Sequence, residues 1–358
     1  MKKISLLTII TIIFFSCDKK IYQKNTSLDK DTLSTIENKK YDYKVMFYNC
    51  ENLFDTKDDS VKLDDEFTPS GKKYWTWPKY QKKLNNIAKV IIAVGEYYPP
   101  DIVGLCEVEN RYVLEGLTKY TPLKKIGYKI IHKESPDRRG IDVAMLYLPE
   151  KFFPLKITWY EVKFPFAPNS KTRDILYVKG IIGKKDTLHI FVNHWPSKWG
   201  GQKETEPKRI FVAKLVKSKA DSILKHNNLA NIIIMGDLND SPEDISIQKG
   251  LGARHDFDNI IDTALYDLSY YLMMKGEGSH KYRGHWDIID YIIVSGGLIS
   301  RKNKIWSTYK SSYIFKAPFL LLEDEKYTGK KLYRTYIGYK YIGGFSDHLP
   351  IFINLFEH

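Results

Sequence analysis

Strand-like apolar runs interspersed with amphipathic helical stretches predict an α/β fold, and the runs are too many for a single small sheet. The most informative run is Ile232-Ile233-Ile234-Met235-Gly236-Asp237-Leu238-Asn239-Asp240, in which an apolar segment stops at glycine and gives way to carboxylates and a carboxamide. Residues 45–49, 102–107 and 190–194 share that design, and Ser346-Asp347-His348 precedes a last apolar run. A buried strand that ends in polar residues holds them still at the rim of its sheet, where a cleft can use them.

Taken in order, the chain starts with Lys2-Lys3, an apolar run at 4–15 and Ser16-Cys17. The run is short for a bilayer span and, with its basic flank, reads as a signal peptide over residues 1–17. A small residue before Cys resembles the cleavage site of a bacterial lipoprotein, with Phe14 in place of the usual Leu, so Cys17 would carry lipid. Residues 18–40 are polar and aperiodic, a flexible tether, and residues 41–358 show no composition break and are expected to form one domain. A strand at 43–49 leads into a long acidic loop at 55–75. Helical spacing of Tyr80, Leu84, Ile87, Ala88, Ile91 and Val94 predicts an amphipathic helix, stopped by Pro99-Pro100. A second strand delivers Glu107, and a short helix follows at 110–120. Strands are expected at 128–132, 141–148, 175–182 and 188–194. A helix over 208–224 turns Val212, Leu215, Val216, Ala220 and Ile223 inward, and further strands lie before Asp237, at 288–294 and at 349–356. The Tyr- and Lys-rich stretch 303–343 has no periodicity that assigns structure.

Apolar residues make up 43% of the chain, enough for a real core, and the net charge is +13 with lysines spread throughout. That balance favours polyanions such as nucleic acid, anionic lipid or phosphorylated metabolites without selecting one. Cys50 and Cys106 each neighbour a polar strand-end residue, so their thiols are expected to point into the core and stay free.

The strand ends collect Asn49, Glu107, Asp142, His194, Asp237, Asn239, Asp290, Asp347 and His348. No zinc-type Cys–His spacing occurs, and oxygen ligands without thiolates suit Mg²⁺, with Mn²⁺ or Ca²⁺ as alternatives. Phosphodiester hydrolysis asks for such a cation, a base for water and an acid for the leaving oxygen, and two histidines with carboxylate partners would supply the proton transfers.

Tyr48-Asn49-Cys50-Glu51-Asn52-Leu53-Phe54-Asp55, Glu107-Val108-Glu109-Asn110, Arg139-Gly140-Ile141-Asp142-Val143-Ala144, Asn193-His194-Trp195-Pro196-Ser197, Gly236-Asp237-Leu238-Asn239-Asp240, Ile289-Asp290-Tyr291 and Ser346-Asp347-His348-Leu349-Pro350 occur in that order. Together they resemble the endonuclease/exonuclease/phosphatase superfamily over residues 43–356, which includes pancreatic-type deoxyribonucleases, inositol-polyphosphate 5-phosphatases and sphingomyelinases. The resemblance implies a four-layer α/β/β/α sandwich, two mixed sheets face to face, with the site at one edge. It implies Glu107 as the principal metal ligand, helped by Asn49 and Asp347. Asp237 and Asn239 would position water and a phosphate oxygen, and Asp290 would pair with His348 at the scissile phosphate. His194 would pair with a carboxylate, which Asp142 is placed to supply, and it argues against the abasic-site branch, where Tyr stands. Arg173 resembles a phosphate-contacting arginine.

The tract from Asn193 to Gly201, with Ser135-Pro136-Asp137-Arg138-Arg139-Gly140, is similar to an exported bacterial nuclease-like subgroup. Lys198, Arg138 and Arg139 would surround the site with charge, Arg139 contacting phosphate, while Trp195 and Trp199 stack on bases or pack as core. The expectation is a monomeric metal-dependent phosphodiesterase degrading DNA or RNA, lipid-anchored to a bacterial membrane and periplasmic or cell-surface. The alternative is a phosphatase or phospholipase C-type enzyme of the same fold, acting on inositol phosphates or phospholipid head groups. A narrow pocket roofed by 55–75 or 303–343 would favour the alternative, and an open groove the nuclease.

Overall fold

The computed structural model describes residues 41–358; the expected signal peptide, lipidated Cys17 and tether lie outside the described residues. Strand β1 (Tyr43–Leu53) is followed by helix α1 (Trp77–Gly95), β2 (Ile102–Val108), helix α2 (Arg111–Lys119), β3 (Lys129–His132) and β4 (Asp142–Tyr147). The chain then crosses to a second sheet, through β5 (Phe152–Tyr160), β6 (Ile175–Ile182), β7 (Asp186–His194), helix α3 (Gln202–His226) and β8 (Asn231–Asp237). Short elements follow: β9 (Leu265–Asp267), α4 (Leu268–Met274), the hairpin β10 (His280–Tyr282) and β11 (His285–Asp287), β12 (Asp290–Ser295) and α5 (Gly296–Ile299). The stretch that sequence left unassigned contains β13 (Ile305–Trp306), β14 (Ser312–Ile314) and two small hairpins. These are β15 (Leu321–Glu323) with β16 (Lys330–Leu332), and β17 (Tyr336–Ile337) with β18 (Lys340–Tyr341). The last strand, β19 (Ile351–Glu357), returns to the first sheet.

The first sheet runs β13-β19-β1-β2-β4-β3, with β14 also on β19, and the second runs β5-β6-β7-β8-β12-β9. Each contains one parallel pair, β1 with β2 and β7 with β8, and is otherwise antiparallel. A parallel pair needs a long crossover, and α1 and α3 are those crossovers. The pleat sorts β1 between two cores: Val45 and Phe47 face the second sheet, Met46 and Tyr48 face α1. One core fills the space between the sheets and beneath α3; the other lies under α1 and α2. This is the four-layer α/β/β/α sandwich. The sheets approach so closely that a Cβ on Gly104 would lie 2.7 Å from Cε of Met235.

Helix α1 buries the predicted stripe from Tyr80 to Val94, and α2 is capped by Asn110, whose side chain accepts from Val113 N. Helix α3 starts six positions before the expected boundary, because Pro207 and Gly200-Gly201 hide its first turns from periodicity. Those turns are held by the Thr205 hydroxyl, which donates to Gly201 O at 2.7 Å and accepts from Arg209 at 2.8 Å. Leu215 and Ile223 are only partly buried, and Ala213 and Leu224 take the fully inward positions. Cys50 and Cys106 are free, buried and in different cores, so no disulfide joins them. Among the described residues no helix is long and apolar enough to cross a membrane.

Candidate active site

The parallel pairs deliver the chemistry. Asn49 lies beside Cys106 across β1 and β2, and Glu107 follows at the end of β2. In the second sheet His194, Asp237 and Asp290 stand in one row, since His194 pairs with Asp237 and Asp237 with Asp290. With the sheets face to face, the ends of β1 and β2 meet this row, and the turn before β19 adds Asp347 and His348. Gly236 lets β7 and β8 close at that point, because a Cβ there would lie 2.4 Å from Asn193 O.

His348 is the centre. Its Nδ1 lies 2.7 Å from Asp290 Oδ2, and its Nε2 faces Asn49 Nδ2 at 3.4 Å and Asp237 Oδ2 at 3.8 Å. Ser346 fixes the turn, donating to Asn49 O at 2.7 Å and accepting from His348 N at 3.1 Å. Burial opposes charge on this imidazole, but the Asp290 and Asp237 carboxylates outweigh it and hold the pKa well above the ordinary range. His194 goes the other way: burial, with Arg173, Arg139 and His348 nearby, drives it well below that range. Its Nε2 lies 3.7 Å from Asp237 and 3.9 Å from Glu107, whereas Nδ1 is buried without a hydrogen-bond partner.

Asn49 donates to Asp237 Oδ2 at 3.0 Å and accepts from Glu51 N at 2.9 Å, so its amide is fixed in both directions. Asn239 N donates to Asp237 Oδ1 at 3.0 Å, and its side chain donates to Trp195 O at 3.1 Å. Burial, with Asp290 and Glu107 nearby, pushes Asp237 up to about 7 against the opposing pull of His348. Glu107 accepts from Asn52 N at 2.9 Å through Oε2. Burial would raise Asp347, but Arg334 and His348 hold it down at about 2. Four residues here have left-handed backbones: Glu51 (φ 49°), Asn52 (φ 56°), Glu107 (φ 56°) and Asn239 (φ 55°). Such backbones cost roughly 1–3 kcal/mol each and collect where geometry serves function.

Asp142 does not pair with His194. Its Oδ2 lies 3.1 Å from His132 Nε2 and its Oδ1 accepts from Ser135 N at 2.8 Å, so it shapes the 135–140 turn. Strand position alone suggested the pairing, but β3 puts His132 nearer. Arg173 also differs from its expected role as a phosphate contact. It is buried, with Nε donating to His194 O at 3.1 Å, Nη2 to Trp195 O and Nη1 to Asp137 Oδ2 at 3.1 Å. It thereby ties the two subgroup tracts together. Arg139 is half exposed at the rim. Trp195 is core, its indole donating to Asn193 Oδ1 at 3.2 Å, while Trp199 is exposed. Arg138 donates to Asn169 O at 3.1 Å, and Lys198 pairs with Asp244 at 3.1 Å.

Sequence reading missed Arg334, which donates to Glu51 Oε1 at 2.9 Å and to Asp347 Oδ2 at 2.8 Å. It lies in the unassigned Tyr- and Lys-rich stretch, where nothing local marks it. His280 was also missed; its ring centre is 5.0 Å from that of His348, and burial holds it at about 4. Buried Lys83 completes the frame, donating to Thr335 Oγ1 and Phe345 O at 2.6 Å beside Glu51.

The donor chemistry fits a hard divalent cation. Glu107, Asn49 and Asp347 offer oxygen and no thiolate, and Asp290 Oδ1 is a buried carboxylate oxygen without a hydrogen-bond partner. His280, Asp347 and His348 form one cluster of metal-ligating type, and Asp237, Asp290 and His348 another.

The model of the Endonuclease/Exonuclease/phosphatase family matches residues 44–357. The chain belongs to this family. Its members are phosphoester hydrolases, and the sandwich described above is their fold. No curated protein matches the sequence. Among solved structures, zebrafish (D. rerio) TDP2 complexed with single-strand DNA product aligns at TM-score 0.52 and 14% identity, covering 87% of this chain and 98% of that one. The human nocturnin catalytic domain with bound sulfate aligns at 0.51 and 17%, covering 88% and 94%. A family protein from Bacteroides thetaiotaomicron aligns at 0.51 and 14%, covering 89% and 97%. At these identities the likeness is one of fold.

Proposed function

We propose that the chain is a divalent-metal-dependent phosphodiesterase acting on nucleic acid, as a monomer tethered outside the cytoplasm through lipid on Cys17. What carries the reaction type is His348, held charged by Asp290 and turned toward Asp237 and Asn49. A cation held by Glu107, Asn49 and Asp347 supplies charge compensation for the phosphoryl oxygens when bound. His348 Nε2–H donates to the scissile phosphate and gives its proton to the leaving oxygen as the P–O bond breaks. Asp237, its carboxyl lifted toward neutrality and oriented by Asn49 and Asn239, takes the proton of the attacking water. Neutral His194, with Nε2 turned to the carboxylates, donates a hydrogen bond to a phosphoryl oxygen. Two titrating groups pushed in opposite directions give the two histidines different tasks.

Support for nucleic acid comes from the net charge of +13 and from the single-strand DNA product carried by zebrafish TDP2. Support for export comes from the basic, apolar and Ser16-Cys17 pattern of residues 1–17. The second reading, a phosphatase or phospholipase C-type enzyme, is favoured by one observation: a pocket beside the site is walled by both segments, 55–75 and 303–343. Incubating the purified protein with supercoiled plasmid tests the first reading. Nicking that needs Mg²⁺, stops with EDTA and is lost in His348→Ala is expected. Intact plasmid together with phosphate release from inositol phosphates would move the function to the second.

A further inference from the structure

Beside the carboxylates of the site lies a cavity of about 190 Å³. One wall comes from Phe67, Lys73 and Trp75, the other from Arg334, Thr335 and Tyr336. Two of the lining residues touch the candidate metal ligands directly: Asn52 N donates to Glu107 at 2.9 Å and Arg334 Nη2 donates to Asp347 at 2.8 Å. The cavity therefore directly adjoins the candidate metal ligands.

Two cations line it, and both keep donors in reserve. Arg334 spends Nε on Glu51 and Nη2 on Asp347, and Nη1 has no hydrogen-bond partner among the described residues. The Lys73 ammonium sits over three ring faces, 4.8 Å from the centre of Tyr336, 5.2 Å from Phe67 and 5.6 Å from Tyr339. Ring faces hold a cation in place without using its N–H groups. Among the described residues its only carboxylate neighbour is Glu66, 3.9 Å away and too far for a hydrogen bond. The one carboxylate in the lining, Glu51, is already committed: Oε1 to Arg334, and Oε2 to Thr335 N at 2.6 Å with Lys83 at 3.7 Å. The cavity thus presents cationic donors and no unspent acceptor charge. It is also smaller than the roughly 300–1,000 Å³ of pockets that enclose a whole organic ligand, so it takes one compact substituent.

We infer that this cavity is a subsite for a second phosphate of the substrate, adjacent to the one being hydrolysed. The inference rests on the phosphodiesterase reading and narrows it to phosphodiesters bearing a neighbouring phosphate monoester. That group is the terminal phosphate of a nucleic acid strand or a ring phosphate of a polyol ester. Either source puts a dianion where Lys73 and Arg334 each add a charge-assisted hydrogen bond.

The test compares matched pairs with Mg²⁺ present: thymidylyl-thymidine with and without a 5′-phosphate, and glycerophosphoinositol with and without a ring phosphate. In at least one pair the phosphorylated member is expected to be hydrolysed with a kcat/KM higher by about tenfold or more, the scale of one charge-assisted hydrogen bond. The pair that shows the preference names the source. Lys73→Gln collapses the ratio, chiefly by raising KM, and Lys73→Arg keeps it. A merely structural role for Lys73 would depress both members equally and leave the ratio standing, and that result overturns the subsite. Ratios near one in both pairs, with the unphosphorylated diesters still hydrolysed, overturn it while leaving the phosphodiesterase intact. Hydrolysis of no diester overturns both.

Discussion

Asp290 Oδ2 sits 2.7 Å from Nδ1 of His348 and is the largest favourable influence on that imidazole's charge. Asp290→Asn keeps the shape and removes the charge, leaving burial to lower the histidine pKa. Phosphodiesterase kcat is expected to fall by about 10²–10⁴ at neutral pH, the usual worth of a positioned proton-transfer group, and to recover partly as pH falls. A pH–rate profile checks this, and an unshifted profile would remove His348 from the proposed role.

Gly236 stands where β7 and β8 close. Gly236→Ala drives a methyl against Asn193 O, and the strand must shift, taking Asp237 with it. A loss of roughly 1–3 kcal/mol in stability is expected, with an activity loss larger than the fraction unfolded explains. Thermal melting alongside assays well below the melting point separates the two.

Arg173 makes opposite predictions as scaffold and as phosphate contact. It is buried against Asp137, so Arg173→Ala strands a carboxylate and should cost about 3–5 kcal/mol of stability. A raised KM at unchanged melting temperature would instead return it to the phosphate.

His189 gives a pH dependence far from the cleft. Burial, with Lys179 nearby, lowers it to about 4 from an ordinary 6.5, and its Nδ1 lies 2.8 Å from the Tyr177 hydroxyl. The folded state favours the neutral ring, so its contribution is complete above pH 6.5 and is lost as pH falls through 6.5 toward 4. Roughly 3 kcal/mol is at stake across that window. Melting curves of wild type and His189→Gln should converge on acidification; parallel curves would count against it.

The central strands and both crossover helices were legible because burial on both faces writes itself as apolar runs and helical periodicity. The side chains at the ends of those strands were legible too, since a polar residue after a buried run has few other places to go. What escaped was lateral. Asp142 finds His132 rather than His194 because pairing depends on which strand lies alongside, and periodicity does not report that. Strand β5 escaped because its edge position leaves four of its nine residues exposed and only one buried. Arg334 escaped because its hairpin region has strands of two or three residues, too short for any alternation to register.

The order in which the sheets are filled has a consequence for the cell that makes this protein. Strand β1 is the first described strand to leave the ribosome, and its antiparallel neighbour β19 is the last. His348 lies just ahead of β19, while Asn49 and Glu107 have waited since the start of synthesis. A nascent chain therefore has a first sheet lacking its closing strand and a cleft without its charged imidazole. The hydrolase site is therefore completed only when nearly the whole polypeptide has been made, an arming delay set by topology.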